Sequence, residues 1–171
     1  MILFIKRLYR KFFWSDEKYA RYVGVKIGDS CSIATRFFGS EPYLITIGNH
    51  VQITNDVRFA THGAGWVLRM KYPDFDCFGK IVVGDNVYIG NCALIMPGVT
   101  IGDNVIIGAG SVVTKSIANG MIVGGNPARV ISNITDFEKK MIPFNTKTKG
   151  RDSIEKKRIL SDMDEEKFLK K

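Results

Sequence analysis

Residues 83–117 read Val83-Gly-Asp-Asn-Val-Tyr-Ile89-Gly-Asn-Cys-Ala-Leu-Ile95-Met-Pro-Gly-Val-Thr-Ile101-Gly-Asp-Asn-Val-Ile-Ile107-Gly-Ala-Gly-Ser-Val-Val113-Thr-Lys-Ser-Ile117. An aliphatic side chain recurs at every sixth position, at Val83, Ile89, Ile95, Ile101, Ile107 and Val113, and glycine follows four of them (Gly84, Gly90, Gly102, Gly108). Four residues after each aliphatic stands a second inward candidate: Val87, Ala93, Val99, Val105, Ser111 and Ile117. A period of six is neither helical nor that of a simple alternating strand. Each hexad supplies a short strand and a turn, and the Gly-Asp-Asn and Gly-Asn steps suit tight corners. Three sides close a triangular coil of about 18 residues, and stacked coils make a parallel solenoid with interior aliphatic ladders.

Working outward, the same phase appears upstream at Ile27, Ile33, Ile47, Ile53 and Phe59. Two irregularities interrupt it. Ile33 and Ile47 are 14 residues apart, two hexads plus two. Phe59 and Val83 are 24 apart, which leaves an insertion of three hexads' length, placed at Thr61–Lys80. A solenoid also needs its open ends capped.

The chain has 171 residues, enough for one domain with a substantial core. Its formal charge of +8 raises nucleic acid, membrane and acidic ligands as partners. The distribution excludes the first for the solenoid. Residues 27–131 carry seven basic and seven acidic side chains, so the excess lies in residues 1–26 and 132–171. Cys31, Cys77 and Cys92 are an odd, scattered set, which suits reduced thiols in a cytoplasm better than a disulfide framework. No apolar run approaches the ~20 residues needed to cross a bilayer. Lys6, Arg7, Arg10 and Lys11 break the apolar start, so no signal peptide is expected. Only His50 and His62 are present, too few for a site needing three imidazole ligands from one chain. There is no GxGxxG, Walker A loop or metal-ligand cluster, and no metal is expected.

The repeat resembles the left-handed parallel β-helix of the hexapeptide-repeat acyltransferases over about residues 24–132. Handedness comes from the resemblance, since the general rule for parallel crossovers favours the right-handed sense. The fold class expected is therefore an all-β solenoid with terminal helices and one long inserted loop, organised as segments 1–23, 24–132 and 133–171. Hexads alone identify a fold rather than a function.

Function enters through His62, in Phe59-Ala-Thr-His-Gly63, which closes a hexad where the insertion begins. In the sugar O-acetyltransferase branch, which includes maltose, galactoside and capsular polysaccharide acetyltransferases, a histidine so placed is the general base. The chemistry explains the need: a sugar hydroxyl is a poor nucleophile, and an imidazole, which titrates near neutrality, takes its proton as the oxygen attacks a thioester. The bland alternative is a corner histidine. His50, at a Gly-Asn-His corner, is read as structural.

In the insertion, Trp66, Tyr72, Phe75 and Phe78 are costly on a free loop. Family loops of this kind project from the prism and help form a neighbour's pocket. Trp66 is a candidate for stacking on a sugar, and Arg69, Asp74 and Asp76 for bonding its hydroxyls; anchoring of the loop is the alternative. In the short irregularity Gly39-Ser-Glu-Pro-Tyr-Leu-Ile45, Glu41 is a candidate to bind an acceptor hydroxyl or to orient His62, against a solvated corner carboxylate. Asn55 and Asp56 are weaker substrate candidates, being ordinary turn residues.

Ile107-Gly-Ala-Gly-Ser-Val-Val-Thr-Lys115 and Gly124-Gly-Asn-Pro-Ala-Arg-Val130 resemble the family's coenzyme A region. Small residues let a pantetheine arm lie along the backbone. The resemblance makes Asn91, Ala109, Thr114, Lys115 and Arg129 the donor-binding residues, the two cations meeting phosphates. Relatives carry a basic residue further on, where this chain has Ser132. Cys92 is assigned to packing.

Residues 2–13 place Ile2, Ile5, Leu8, Tyr9 and Phe12 opposite Lys6, Arg7, Arg10 and Lys11, a basic amphipathic helix that either caps the first coil or contacts an anionic membrane surface through residues 1–14. Residues 150–171 suggest a C-terminal helix with one apolar stripe. The function expected is acetyl-CoA-dependent O-acetylation of a sugar or surface-polysaccharide precursor in the cytoplasm, with His62 as base; the family resemblance implies a homotrimer. N-acetylation of a nucleotide-linked amino sugar and a non-catalytic scaffold are the alternatives.

Overall fold

In a computed structural model the chain is described at residue 9 and over residues 13–170. The helix expected over residues 2–13 therefore lies, apart from Tyr9 and Phe13, outside the described residues. The chain forms two compact units, Met1–Ile134 and Thr135–Lys171.

The first unit is a three-sided stack of short strands. One side holds β1 (Lys26–Ile27), β3 (Ile45–Ile47), β6 (Ile81–Val83) and β9 (Thr100–Ile101), all parallel. The second holds β2 (Ser32–Ile33), β4 (Gln52–Ile53), β7 (Tyr88–Ile89), β10 (Ile106–Ile107) and β12 (Met121–Gly124), again parallel, and ends on the antiparallel β13 (Arg129–Asn133). The third holds β5 (Arg58–Phe59), β8 (Leu94–Ile95) and β11 (Val112–Val113). Each coil visits the three sides in turn.

Register reports the two irregularities directly. Val82 faces Thr100, 18 residues on, the regular coil. Lys26 faces Thr46, 20 residues on, so the first coil carries the two extra residues. Thr46 faces Val82, 36 residues on, so the second coil carries the insertion.

The ladders are dry. Ile45, Ile53, Ile81, Ile89, Ile95 and Ile107 are fully inaccessible, and Val87, Ala93, Val99 and Val105 fill the places beside them. Ser111, the polar member of that second set, is also buried, and its hydroxyl donates to the Gly108 carbonyl at 2.6 Å. Ile89→Ala opens a cavity in a shaft whose backbone is pinned on both sides by β4 and β10. A loss of about 3 kcal/mol is expected, from the denaturation midpoint at constant m.

The corners explain the glycines. Asn49 N–H donates to Asp85 Oδ1 at 2.7 Å, Asp85 N–H to Asp103 Oδ1 at 2.7 Å, and Asp103 N–H to Asn119 Oδ1 at 2.9 Å. Each side chain caps the corner one coil away. A Cβ on Gly84 would stand 2.3 Å from Asp103 Oδ1, so glycine before the turn leaves room for the cap. The next residue takes a left-handed conformation, as at His50, Asn86 and Asn104 (φ 54°, 55° and 56°). His50 is one step of this ladder, its Nδ1 lying 2.9 Å from Asn86 Oδ1. Cys92 was expected to pack; it is exposed at such a corner with φ 61°, because its hexad turns there.

Helix α1 (Asp16–Val23) precedes the first coil. The Ser15 side chain caps it by accepting from Lys18 N–H, and Gly24 ends it at φ 111°. Ala20 is its fully buried contact with the core. At the other end the Gly-Gly-Asn-Pro-Ala-Arg run makes the β12–β13 hairpin, with a cis peptide before Pro127.

Helix α2 (Ile134–Met141) begins on the last residue of the first unit and otherwise belongs to the second, which also contains α3 (Ser153–Ser161), capped by Asp152 Oδ1, which accepts from Ile154 and Glu155 N–H. Along the expected apolar stripe Ile154 is 82% exposed, Ile159 and Leu160 are half-buried, and no residue of α3 is fully buried in the single chain. Among the described residues no helix is long and apolar enough to cross a membrane.

Candidate active site

The insertion is closed at its neck. Thr61 O accepts from Gly79 N–H at 2.8 Å and His62 pairs with Phe78 in an antiparallel bridge, so residues 63–77 leave the prism and return to the same point. Only glycine can stand at 79. A Cβ there would come within 2.2 Å of the Gly98 nitrogen. The solenoid wall, not the loop, thus sets the position of His62.

The first coil's two extra residues bring Glu41 to the same neck. Gly39, at φ 67°, passes so close that a Cβ would meet Phe59 O and Thr61 Oγ1 at 3.1 Å. Pro42 then starts a single 3₁₀ turn, Pro42–Leu44, leaving Glu41 just before it. Glu41 Oε2 accepts from His62 Nδ1–H at 2.8 Å and from the Thr61 hydroxyl at 2.5 Å. The Thr61 hydroxyl beside Glu41 holds its carboxyl below the ordinary value; partial burial opposes this, and the His62 hydrogen bond and charge add to it. An ionised carboxylate only accepts, so the proton sits on Nδ1, and neutral His62 presents Nε2 as a lone pair. The imidazole is 40% exposed, the carboxylate 15%. The imidazole is open to solvent while its partner is sheltered.

Beside the imidazole is a cavity of about 420 Å³ bounded by Gly63, Cys77, Phe78, Met96, Pro97 and Gly98. The Phe78 ring lies 5.5 Å from the His62 ring at 54°. Phe78 is thus the aromatic next to the imidazole; its place opposite His62 across the neck was hidden in a sequence where it is one of four loop aromatics. Trp66 stands on the loop's 3₁₀ turn (Gly65–Leu68), 80% exposed, and does not line this cavity in the single chain. Arg69 braces the loop: Nε donates to Phe75 O at 3.1 Å and Nη2 lies 3.7 Å from Asp76 Oδ1.

The other residues singled out fall in two groups. Asn55, Asn91 and Ala109 form one corner column on successive coils: Asn55 N–H donates to Asn91 Oδ1 at 3.2 Å, and Gly90 leaves space for Ala109 N, which a Cβ would approach to 2.6 Å. Lys115 and Arg129 share a second cavity, about 470 Å³, with Ser116, Ala118, Met121 and Val130 at the hairpin end. Thr114 is exposed beside Lys115. Among the described residues no group of three or more His, Cys, Asp or Glu could hold a metal ion.

A hexad solenoid carrying a sheltered carboxylate–imidazole pair at the neck of an inserted loop defines a class, and comparison agrees. Residues 80–115 match the family model described as bacterial transferase hexapeptide (six repeats). The chain is 48% identical over 159 residues to Protein CapG of Staphylococcus aureus, covering 91% of each. It is 39% identical over 120 residues to the galactoside O-acetyltransferase of Escherichia coli strain K12, covering 66% of this chain and 58% of that one. A hexapeptide-repeat acetyltransferase from Vibrio cholerae O1 biovar eltor, solved with acetyl coenzyme A, superposes with a TM-score of 0.59 at 32% identity, covering 65% of this chain and 61% of that one. The chain belongs to the hexapeptide-repeat transferase family and is an acyltransferase.

Proposed function

We propose that this protein transfers the acetyl group of acetyl-CoA to a hydroxyl of a sugar or surface-polysaccharide precursor, with His62 as general base. The observation that carries this is the Glu41–His62 pair, in which Nδ1 faces the carboxylate and the half-exposed imidazole borders a cavity with an apolar wall. The names and ligands of the relatives support the donor and the acceptor class.

In the step proposed, the acceptor oxygen attacks the thioester carbonyl carbon as its proton passes to His62 Nε2. The Glu41 carboxylate stabilises the imidazolium that forms. Collapse of the tetrahedral adduct breaks the carbon–sulfur bond, and the thiolate leaves as thiol with the proton held on Nε2. No acyl-enzyme is needed, which leaves Cys77 and Cys92 without a covalent role. Phe78 and Met96 give the acceptor's carbon–hydrogen face an apolar surface, while Asn55, Trp66 and Arg69 remain candidates for binding its hydroxyls.

Lys115 and Arg129 fit the donor's phosphates, being two cations that share one cavity. Asn91, Ala109 and Thr114 are assigned to the rest of the donor. Lys115→Ala and Arg129→Ala are each expected to raise the KM for acetyl-CoA about tenfold, with kcat little changed, as loss of one charge-assisted bond requires. The effect should shrink in high salt. Unchanged KM in both would move the phosphates elsewhere.

The domain proposed is residues 24–132, coiling in the left-handed sense, with flanking segments 1–23 and 133–171 and the inserted loop 61–80. A homotrimer in which the loop reaches a neighbour would give the exposed Trp66 a partner. Light scattering tests the assembly. A panel of hydroxyl and amino sugars, free, nucleotide-linked and lipid-linked, tests the acceptor; transfer confined to amines would overturn O-acetylation.

A further inference from the structure

Thr61 is fully buried, yet it carries a hydroxyl. Among aliphatic ladders that is a cost unless the hydroxyl is used. Its backbone already serves the neck, through the bond from Gly79 N–H. Its side chain serves something else: Oγ1 donates at 2.5 Å to Glu41 Oε2, the same oxygen that accepts from His62 Nδ1 at 2.8 Å. Two donors from adjacent residues converge on one carboxylate oxygen. They come from a strand end that the solenoid holds rigid, whereas Glu41 sits on an irregular segment with no strand of its own.

We propose that Thr61 is a positioning residue for the transfer reaction: its hydroxyl locks one carboxylate oxygen of Glu41 against His62 Nδ1, and so selects the imidazole tautomer that leaves Nε2 free to take a proton. The inference rests on His62 acting as the base. Without the hydroxyl the Glu41 carboxylate has a single donor at its sheltered oxygen and is free to turn toward water. His62 then loses the constraint on both its ring orientation and its proton.

The chain has two histidines, so the 171-residue chain labelled with ¹⁵N-histidine gives two imidazoles, with His50, which pairs with Asn86 at another corner, as an internal control. In the parent at mildly alkaline pH, His62 is expected as one tautomer protonated at Nδ1. Thr61→Val removes the hydroxyl and keeps the β-branch. It is expected to convert His62 into a mixture of tautomers, leave His50 unchanged and lower kcat about tenfold without moving the KM for acetyl-CoA. Thr61→Ser keeps the hydroxyl and should restore both readouts. An unchanged His62 tautomer in Thr61→Val, or failure of serine to restore what valine loses, overturns the proposal in favour of packing. Should valine not fold, Thr61→Ala, which also lacks the hydroxyl, carries the same readout, and an unchanged His62 tautomer there overturns the proposal. Normal turnover of a variant lacking His62 would sink the base assignment instead and leave the tautomer result standing, so the two failures are distinguishable.

Discussion

His62→Ala is expected to fold, to bind coenzyme A and to transfer acetyl groups several hundredfold more slowly than the parent, within the about 10²–10⁴ that a general base contributes. Folding survives because His62 is a half-exposed side chain at the loop neck, and the neck is held by the backbone bond between Thr61 and Gly79. Donor binding is expected to survive because Lys115 and Arg129, the residues proposed to meet its phosphates, line a separate cavity. The rate falls because nothing else bordering the cavity beside His62 takes a proton from a hydroxyl: its other walls are glycines, Ala64, Cys77, Phe78, Met96 and Pro97. The measurement is kcat beside a thermal midpoint and a coenzyme A titration. Near-normal turnover removes His62 from the chemistry.

Glu41→Gln is the more instructive loss. The carboxylate only accepts, which keeps the proton on Nδ1; a glutamine amide can donate to Nδ1 instead and so favours the tautomer protonated at Nε2, where the base must be empty. A fall in kcat of about 10²-fold is expected, by the logic that makes an amide in place of a triad carboxylate so damaging. Glu41→Ala, which imposes no wrong tautomer, should lose less, about tenfold. If alanine proves worse than glutamine, the carboxylate acts through charge alone and the tautomer argument fails.

The same residue gives a pH dependence with a definite sign. The Glu41 carboxyl is lowered in the folded protein, so folding favours its ionised form. Its contribution to stability is complete above the ordinary carboxylate range and is lost as pH falls through the lowered value. The difference in thermal midpoint between parent and Glu41→Gln should therefore be widest near neutrality and close in acid.

Much of this was legible before any coordinates. The hexads announced the ladders because a solenoid repeats the same local solution at every coil, and the two gaps in the phase announced both departures from it. His62 stood out because it sits at one of those gaps. Glu41 was a candidate because it sits at the other, but whether it met His62 or water was open. Trp66 drew attention as the largest aromatic, whereas Phe78 lies beside the imidazole. Cys92, assigned to packing, occupies an exposed corner instead.

By itself the sequence determined the period, hence the stacked coils, the positions of the dry aliphatic ladders and the places where the chain must leave them. Those are consequences of local repetition. Only the tertiary structure decided what meets across coils: a carboxylate 21 residues from its imidazole, joined by a threonine hydroxyl and admitted by a glycine with φ 67° where a Cβ would crowd two oxygens at 3.1 Å. Such meetings depend on the register between coils to within a fraction of an ångström. That register is set by backbone hydrogen bonds between strands, a quantity no periodicity along one strand contains.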